Sequence, residues 1–312
     1  MKLSQIITSR IARIAGITAV AAPLLVACGS SSSEDQITFA AVPSESAATL
    51  ETSYENITDL IAQETGKEVV FQNASDYAAV IEGMRAGQID VASFGPFAYV
   101  IGKDSGINME AVVSPTDDEA EAPAYTSLAY VPADSDIKSL DEAAGKTVCF
   151  VDAASTSGYL VPMKGLMDVD IDMNADLEQV LSGGHDASLL ALEAGTCDIA
   201  FAHDTMLNTL EKSGQIEPGS LVSIWESDPI TEDPISINRD TLDPAVADQI
   251  TEILRTQANI PALVEAGICS SEEDCVLPEE ITYGFVAVDD SDFNGIRELC
   301  EVTDAEACKN IG

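Results

Sequence analysis

Apolar and polar positions in the first third of the chain switch between two periods. Residues 37–42, Ile-Thr-Phe-Ala-Ala-Val, form an apolar run that predicts a buried strand. Leu50, Tyr54, Ile57 and Ile61 then recur at helical spacing until Gly66 closes the helix. Residues 68–72 predict a second strand, Ser75 is placed to cap a helix over 76–86, and Gly87 ends that helix. Residues 90–94 and 109–114 predict two more strands, with a helix starting at Gly95-Pro96 between them. Strand and helix alternate, which implies a parallel sheet in an α/β lobe.

The pattern restarts with strands over 127–131 and 147–152. The second runs into Ala153-Ala-Ser-Thr-Ser-Gly158 and a helix carrying Pro162 near its start. Ala194-Gly-Thr-Cys-Asp-Ile-Ala200 repeats the form of Ala86-Gly-Gln-Ile-Asp-Val-Ala92, each ending a helix and entering a strand. Their spacing of about 108 residues is that of a lobe and not of a short solenoid repeat. Two similar lobes imply a cleft, and the chain is expected to cross between them over 122–127 and return over 225–234, where Asp228-Pro229 and Asp233-Pro234 restrict the backbone. The predicted division is a leader over 1–27, a tether over 28–36, the first part of lobe 1 over 37–122 and lobe 2 over 123–227. Residues 228–312 return to lobe 1 and end in a disulfide-bearing extension. Ligands in open α/β sheets bind beyond the carboxyl ends of the strands, which selects the loops at 75–77, 94–96, 155–158, 184–186 and 203–205.

Composition narrows the class. With 312 residues, 46% of them hydrophobic and 22% charged, the chain can bury a full core and is neither a disordered segment nor a rod. Fourteen Lys and Arg against 54 Asp and Glu give a formal charge of −40, which repels phosphate backbones and excludes nucleic acid as a partner. The bland reading of that charge is a solvated acidic surface.

Lys2, Arg10 and Arg13 precede an apolar run over 14–26, and Ala27-Cys28 follows. That is the pattern of a signal peptide, and it resembles a bacterial lipobox with Cys28 as the lipidated anchor and 29–33 as a flexible tether. Removing the leader leaves 11 basic and 54 acidic residues, a formal charge of −43. The other six cysteines, Cys149, Cys197, Cys269, Cys275, Cys300 and Cys308, are an even set outside the cytoplasm and suggest disulfides. Short spacings favour Cys269 with Cys275 and Cys300 with Cys308, leaving Cys149 with Cys197. Neither a Cys-x-x-Cys pair nor a nearby His supports a metal, and no cofactor is expected.

Ser155-Thr156-Ser157-Gly158 offers three hydroxyls and free amides between a strand and a helix, a cradle for an anion. Gly183-Gly184-His185-Asp186 follows another strand and aims His185 at the same cleft, and Tyr77 stands at a matching helix start in lobe 1. A Walker A lysine is missing, so the anion should be small. Ser155 or Ser157 with His185 and Asp204 also has the residue types of a hydrolytic triad, but no Gly-x-Ser-x-Gly elbow accompanies them.

Five stretches, Ser75 to Ala92, Phe94-Gly-Pro96, Ser155-Thr-Ser-Gly-Tyr-Leu-Val-Pro162, Ser182-Gly-Gly-His-Asp-Ala187 and Asp233-Pro-Ile-Ser236, together resemble the phosphonate/phosphite/phosphate substrate-binding proteins of ABC transporters. The resemblance implies a type 2 periplasmic-binding-protein fold with two doubly wound α/β lobes joined by a two-crossing hinge. It implies a monomeric, non-enzymatic lipoprotein that closes on a small phosphorus oxyanion outside the cytoplasm and delivers it to the permease. A solute-binding lipoprotein for a sulfonate or a thiamine-like ligand is the alternative within that fold. The family's contacts then fall on Tyr77, Ser155, Thr156, Ser157 and His185, with Asp233 near the phosphorus substituent. Phe94 replaces the aromatic hydroxyl of some relatives, and either Asp204 or Thr205 stands where some carry Glu. Tyr125, at the crossover, is a further candidate.

Overall fold

A computed structural model describes residues 35–309. The leader and Cys28 lie outside these residues. Among the described residues, no helix is long and apolar enough to cross a membrane.

The chain begins with β1 (Gln36–Ala41), α1 (Ala47–Thr65), β2 (Glu68–Gln72), α2 (Tyr77–Arg85), β3 (Val91–Ser93), α3 (Pro96–Asp104) and β4 (Met109–Thr116). Apolar positions of α1 at Leu50, Tyr54, Ile57 and Ile61 are buried on one face, and Gly66 ends the helix with φ +68°. A short strand β5 (Ala124–Tyr125) leads into lobe 2. That lobe holds β6 (Ser127–Pro132), β7 (Thr147–Phe150), α4 (Val161–Met167), α5 (Met173–Asp176), β8 (Glu178–Leu181), α6 (His185–Glu193), β9 (Ile199–His203), α7 (Met206–Lys212) and β10 (Leu221–Glu226). The return runs through β11 (Ile230–Thr231) to β12 (Ile235–Asn238), α8 (Pro244–Gln257), α9 (Ile260–Glu265), β13 (Gly284–Ala287), α10 (Asn294–Thr303) and α11 (Glu306–Lys309).

Three sheets result. Lobe 1 has the order β13-β4-β12-β3-β1-β2, lobe 2 the order β10-β6-β9-β7-β8, and β5 pairs with β11 as a two-stranded ribbon where the chain crosses. Neither large sheet is wholly parallel as the alternation implies. In lobe 1, β1 runs parallel to β2 and β3, whereas β12 is antiparallel to β3 and β4. In lobe 2, β7 runs parallel to β8 and β9, whereas β6 is antiparallel to β9 and β10. The cause is connectivity. Each antiparallel strand beside the parallel trio is the one the chain forms on arriving from the hinge, so it enters its sheet from the opposite end.

Each lobe packs its own core, around Phe39, Ile57, Ile237 and Leu254 in lobe 1 and around Phe150, Phe201, Val148 and Leu166 in lobe 2. A further buried cluster is continuous across the cleft, joining Tyr77, Phe94 and Phe97 of lobe 1 to Val151, Leu160 and Val161 of lobe 2. Three disulfides close Cys149–Cys197, Cys269–Cys275 and Cys300–Cys308.

Candidate functional site

The lobes meet tightly. Across the cleft, the His185 N–H donates to the Ser44 carbonyl at 2.7 Å and the Phe97 N–H donates to Thr156 Oγ1 at 2.9 Å. A small cavity, with about 10 Å³ open to the centre of a water-sized sphere, lies between Ser44, Tyr77, Gly95, Asp233 and Glu279 on one side and Ser155, Thr156, Ser157, His185 and His203 on the other, with Tyr125 from the crossing strand. None of its lining residues is Lys or Arg.

The hydroxyl cradle is a product of local sequence. Residues Thr156–Leu160 form one π-helical turn that continues into α4, and Pro162 sits within the first turn of that helix, where a missing N–H costs nothing. Ser155 caps the turn, its Oγ accepting from Gly158 N at 3.1 Å. The first N–H groups of such a turn have no intrahelical acceptor, so those of Thr156 and Ser157 are free to meet an anion. Gly158 is required for close approach: a Cβ there would collide with the Val151 side chain and lie 2.8 Å from Ser155 Oγ. Ser127 Oγ donates to the Ser157 carbonyl at 2.6 Å and fixes the far side.

Two histidines line the same half. The His203 N–H donates to His185 Nδ1 at 3.1 Å, so His185 accepts there and carries its proton on Nε2. Burial, and then the neighbouring His203, push His185 well below the usual imidazole range, and burial lowers His203 to about 4. Both rings are neutral donors at physiological pH.

The acceptors come from the other half. Burial, followed by the Glu279 carboxylate, pushes the Asp233 carboxyl well above the usual range, against a hydrogen bond from Tyr125 that acts the other way. Glu279 is raised to about 7 by burial, Asp204 and Glu45. Tyr77 hydrogen-bonds Ser155, and Tyr125 hydrogen-bonds Ser157. Both phenols are held protonated by burial above all.

Of the residues expected at the site, Tyr77, Tyr125, Ser155, Thr156, Ser157, His185 and Asp233 line the cavity. Phe94 does not: its ring is fully buried in the apolar cluster, and the next residue, Gly95, forms the wall instead. Asp204 is also elsewhere, its Oδ2 accepting from Thr126 N at 2.9 Å and so bracing the crossing strand. Thr205, the other residue considered at that position, bonds the outer ring nitrogen Nδ1 of His203 at 3.0 Å. In the neighbouring loop the helix cap is Asp76, whose Oδ1 accepts from Ala79 N, and not Ser75. Ser44, Gly95, His203 and Glu279 are additional wall residues. His203 ends the repeated strand, in a loop the strand-end rule selects. Glu279 has no local sequence signal.

The family model described as "ABC transporter, phosphonate, periplasmic substrate-binding protein" matches residues 39–293. The phosphate-import protein PhnD of Mycolicibacterium smegmatis is 40% identical over 284 residues, 88% of this chain and 88% of that protein. Among solved structures, a binding-protein component of an ABC phosphonate transporter from Pseudomonas aeruginosa superposes with a TM-score of 0.74 at 25% identity, covering 86% of both chains. PhnD1 from Prochlorococcus marinus in complex with methylphosphonate also gives 0.74, at 15% identity, over 88% of this chain and all of that one.

Proposed function

The chain belongs to the phosphonate periplasmic substrate-binding proteins of ABC transporters, and from that premise we propose that its closed cavity holds one small phosphorus oxyanion, with phosphate the leading candidate. It is the extracytoplasmic binding component of an importer and not an enzyme, with the type 2 binding-protein fold. The observation that carries the ligand reading is the wall of Ser155, Thr156, Ser157, Tyr77, Tyr125 and neutral His185 closed around a space without a cation. Each hydrogen bond to a charged group stabilises by about 1.5–3 kcal/mol, and exclusion of water strengthens it further. The name of the mycobacterial relative, a phosphate-import protein, favours phosphate over an organophosphonate.

Residues 37–122 with 228–312 act as one lobe and 123–227 as the other, turning about the β5–β11 ribbon. The monomeric protein is tethered to the outer face of the membrane through a lipid on Cys28 and hands its ligand to the permease. A thermal-shift series on the chain from residue 29 tests the reading, with phosphate, phosphite, methylphosphonate, 2-aminoethylphosphonate, sulfate and thiamine. A ligand at about 100 times its Kd stabilises by about 2.7 kcal/mol, a shift of several degrees. A shift with a phosphorus oxyanion alone supports the assignment; a shift only with thiamine or sulfate removes it.

A further inference from the structure

The two imidazoles of the cavity are held in different ways. His185 opens α6, and its Nδ1 accepts from the His203 N–H, so a backbone donor fixes its proton on Nε2. His203 ends β9, and its own Nδ1 meets Thr205 Oγ1 at 3.0 Å. A hydroxyl can donate or accept, so that contact alone leaves the proton of the second ring open. The setting of Thr205 narrows the choice. It is the N-cap residue of α7, a position where a Thr side chain ordinarily accepts from the first amides of the helix and stabilises it by about 1 kcal/mol. No such bond forms here. The Thr205 carbonyl accepts from the Thr209 N–H at 3.1 Å and from the Thr209 hydroxyl at 3.2 Å, while the Thr205 hydroxyl turns from the helix to the imidazole. A side chain placed to cap a helix is thus spent on a cavity residue instead.

His203 is 5% exposed and lines the cavity, and with Nδ1 engaged by Thr205 the nitrogen left to face the cavity is Nε2. A neutral imidazole carries one proton, so the direction of the Thr205 bond decides what a ligand meets. If Thr205 accepted, Nε2 would turn a lone pair on an anion in a cavity with no Lys or Arg to offset it. If Thr205 donates, Nε2 carries the proton and the second ring becomes a donor like the first. We propose that Thr205 is a positioning residue of the binding site: its hydroxyl donates to His203 Nδ1 and fixes the ring proton on Nε2, which donates it in a hydrogen bond to the bound oxyanion. The tripeptide His203-Asp204-Thr205 then sets both rings, His185 through the N–H of its first residue and His203 through the hydroxyl of its last. This inference rests on the oxyanion reading above and adds the group that orients one of its donors.

The chain has two histidines, so nitrogen NMR of isotope-labelled imidazoles shows two rings, and a His185→Gln spectrum assigns them. The spectra are taken at about pH 7.5, where both rings are neutral, without ligand and with phosphate or methylphosphonate. The proteins are the full chain, Thr205→Val and Thr205→Ser. Val keeps the shape of Thr, and because no cap bond is lost α7 should stay intact. In the wild type both rings should hold their proton on Nε2. In Thr205→Val the His203 ring alone should lose that single tautomer, and phosphate affinity in titration calorimetry should fall about tenfold or more, the scale of one hydrogen bond to a charged group. Thr205→Ser should restore both. A wild-type His203 with its proton on Nδ1, or a Thr205→Val protein whose His203 keeps the Nε2 proton, overturns the role of Thr205 whether or not affinity falls, and leaves the oxyanion site standing. A wild type that binds neither phosphate nor methylphosphonate overturns the oxyanion reading, and with it the purpose of the tautomer, even where the ring behaves as expected.

Discussion

The two lobes repeat one construction and part company where the repeat reaches the cavity. In lobe 1 the Asp90 N–H donates to the Thr38 carbonyl at 3.0 Å while its Oδ2 accepts from Thr38 N at 2.8 Å. In lobe 2 Asp198 makes the same reciprocal pair with Thr147, at 2.8 and 2.9 Å. Gly87 and Gly195 turn the preceding helices with φ of 68° and 73°. Past this shared frame, the lobe 1 strand ends in buried Phe94 and the spacer Gly95, whereas the lobe 2 strand ends in His203. The result is a division of labour. Lobe 2 presents hydrogen-bond donors on Ser155, Thr156, Ser157 and His185, and lobe 1 adds the carboxylates Asp233 and Glu279. One scaffold, used twice, thus lines the cavity with hydroxyls and imidazoles on one side and carboxylates on the other.

The largest expected effect lies in a contrast within the frame. Cys149 and Cys197 occupy the positions that Ala40 and Ile89 hold in lobe 1, so one lobe uses a covalent link where the other uses apolar packing. A link spanning 48 residues removes about 4 kcal/mol of unfolded-chain entropy in the simple loop-closure model. Cys149→Ser with Cys197→Ser should therefore lower stability by about that amount in chemical denaturation. A loss under about 1 kcal/mol would mean that the link constrains the unfolded chain little, and the contrast disappears.

Next in size is the difference between the two walls. Thr156→Val deletes a hydroxyl of the cradle and leaves the buried Phe97 N–H without an acceptor across the cleft. Ligand affinity measured by titration calorimetry should fall about 10- to 100-fold, equivalent to about 1.4–3 kcal/mol. Gly95→Ala probes the opposite wall, where a Cβ lies 3.3 Å from Thr156 Oγ1 and 3.9 Å from Tyr77 Cε1. Neighbours must yield by only a few tenths of an ångström, so a loss below about tenfold is expected. The reverse ranking would mean that space in lobe 1, and not donation by lobe 2, limits binding.

The shared frame itself predicts equality. Asp90→Asn and Asp198→Asn should each cost about 1 kcal/mol in thermal unfolding, because the two carboxylates do the same job at the same distances. A cost confined to one lobe would show that the repeat is only one of sequence.

What could be read from sequence follows the range of the forces involved. The cradle was legible because the cap, hydroxyls and close-approach glycine lie within four consecutive residues, 155–158. The repeat was legible because Asp90 and Asp198 serve the same backbone pairing. Phe94 misled because it sits in a loop that does reach the cavity while its own ring turns into the core. Asp204 misled because its carboxylate is consumed by Thr126, a partner 78 residues away. Glu279 was invisible because its place depends on a turn pinned by Asn56 and Asp117, and nothing in Leu-Pro-Glu-Glu announces positive φ. The antiparallel strands escaped because direction in a sheet depends on where the chain re-enters.

The smallest net effect is the pH dependence, because the two walls oppose each other. Glu279 rises from 4.5 to about 7 on folding, so the folded state holds a proton that the unfolded state has released. Its contribution is full below pH 4.5 and is lost as pH climbs to about 7. His203 falls from 6.5 to about 4, so its contribution is full above pH 6.5 and is lost as pH drops to about 4. Between pH 4.5 and 6.5 the two slopes oppose each other, but Glu45, Glu232 and Asp233, which burial also raises, add to that of Glu279 and outnumber His185 and His203, so the melting temperature of the ligand-free protein should fall gently as pH rises there. Single substitutions uncover each half. Glu279→Gln should make that fall shallower, and His203→Gln should make it steeper. Parallel profiles for the two variants would mean that donor and acceptor walls do not titrate against each other.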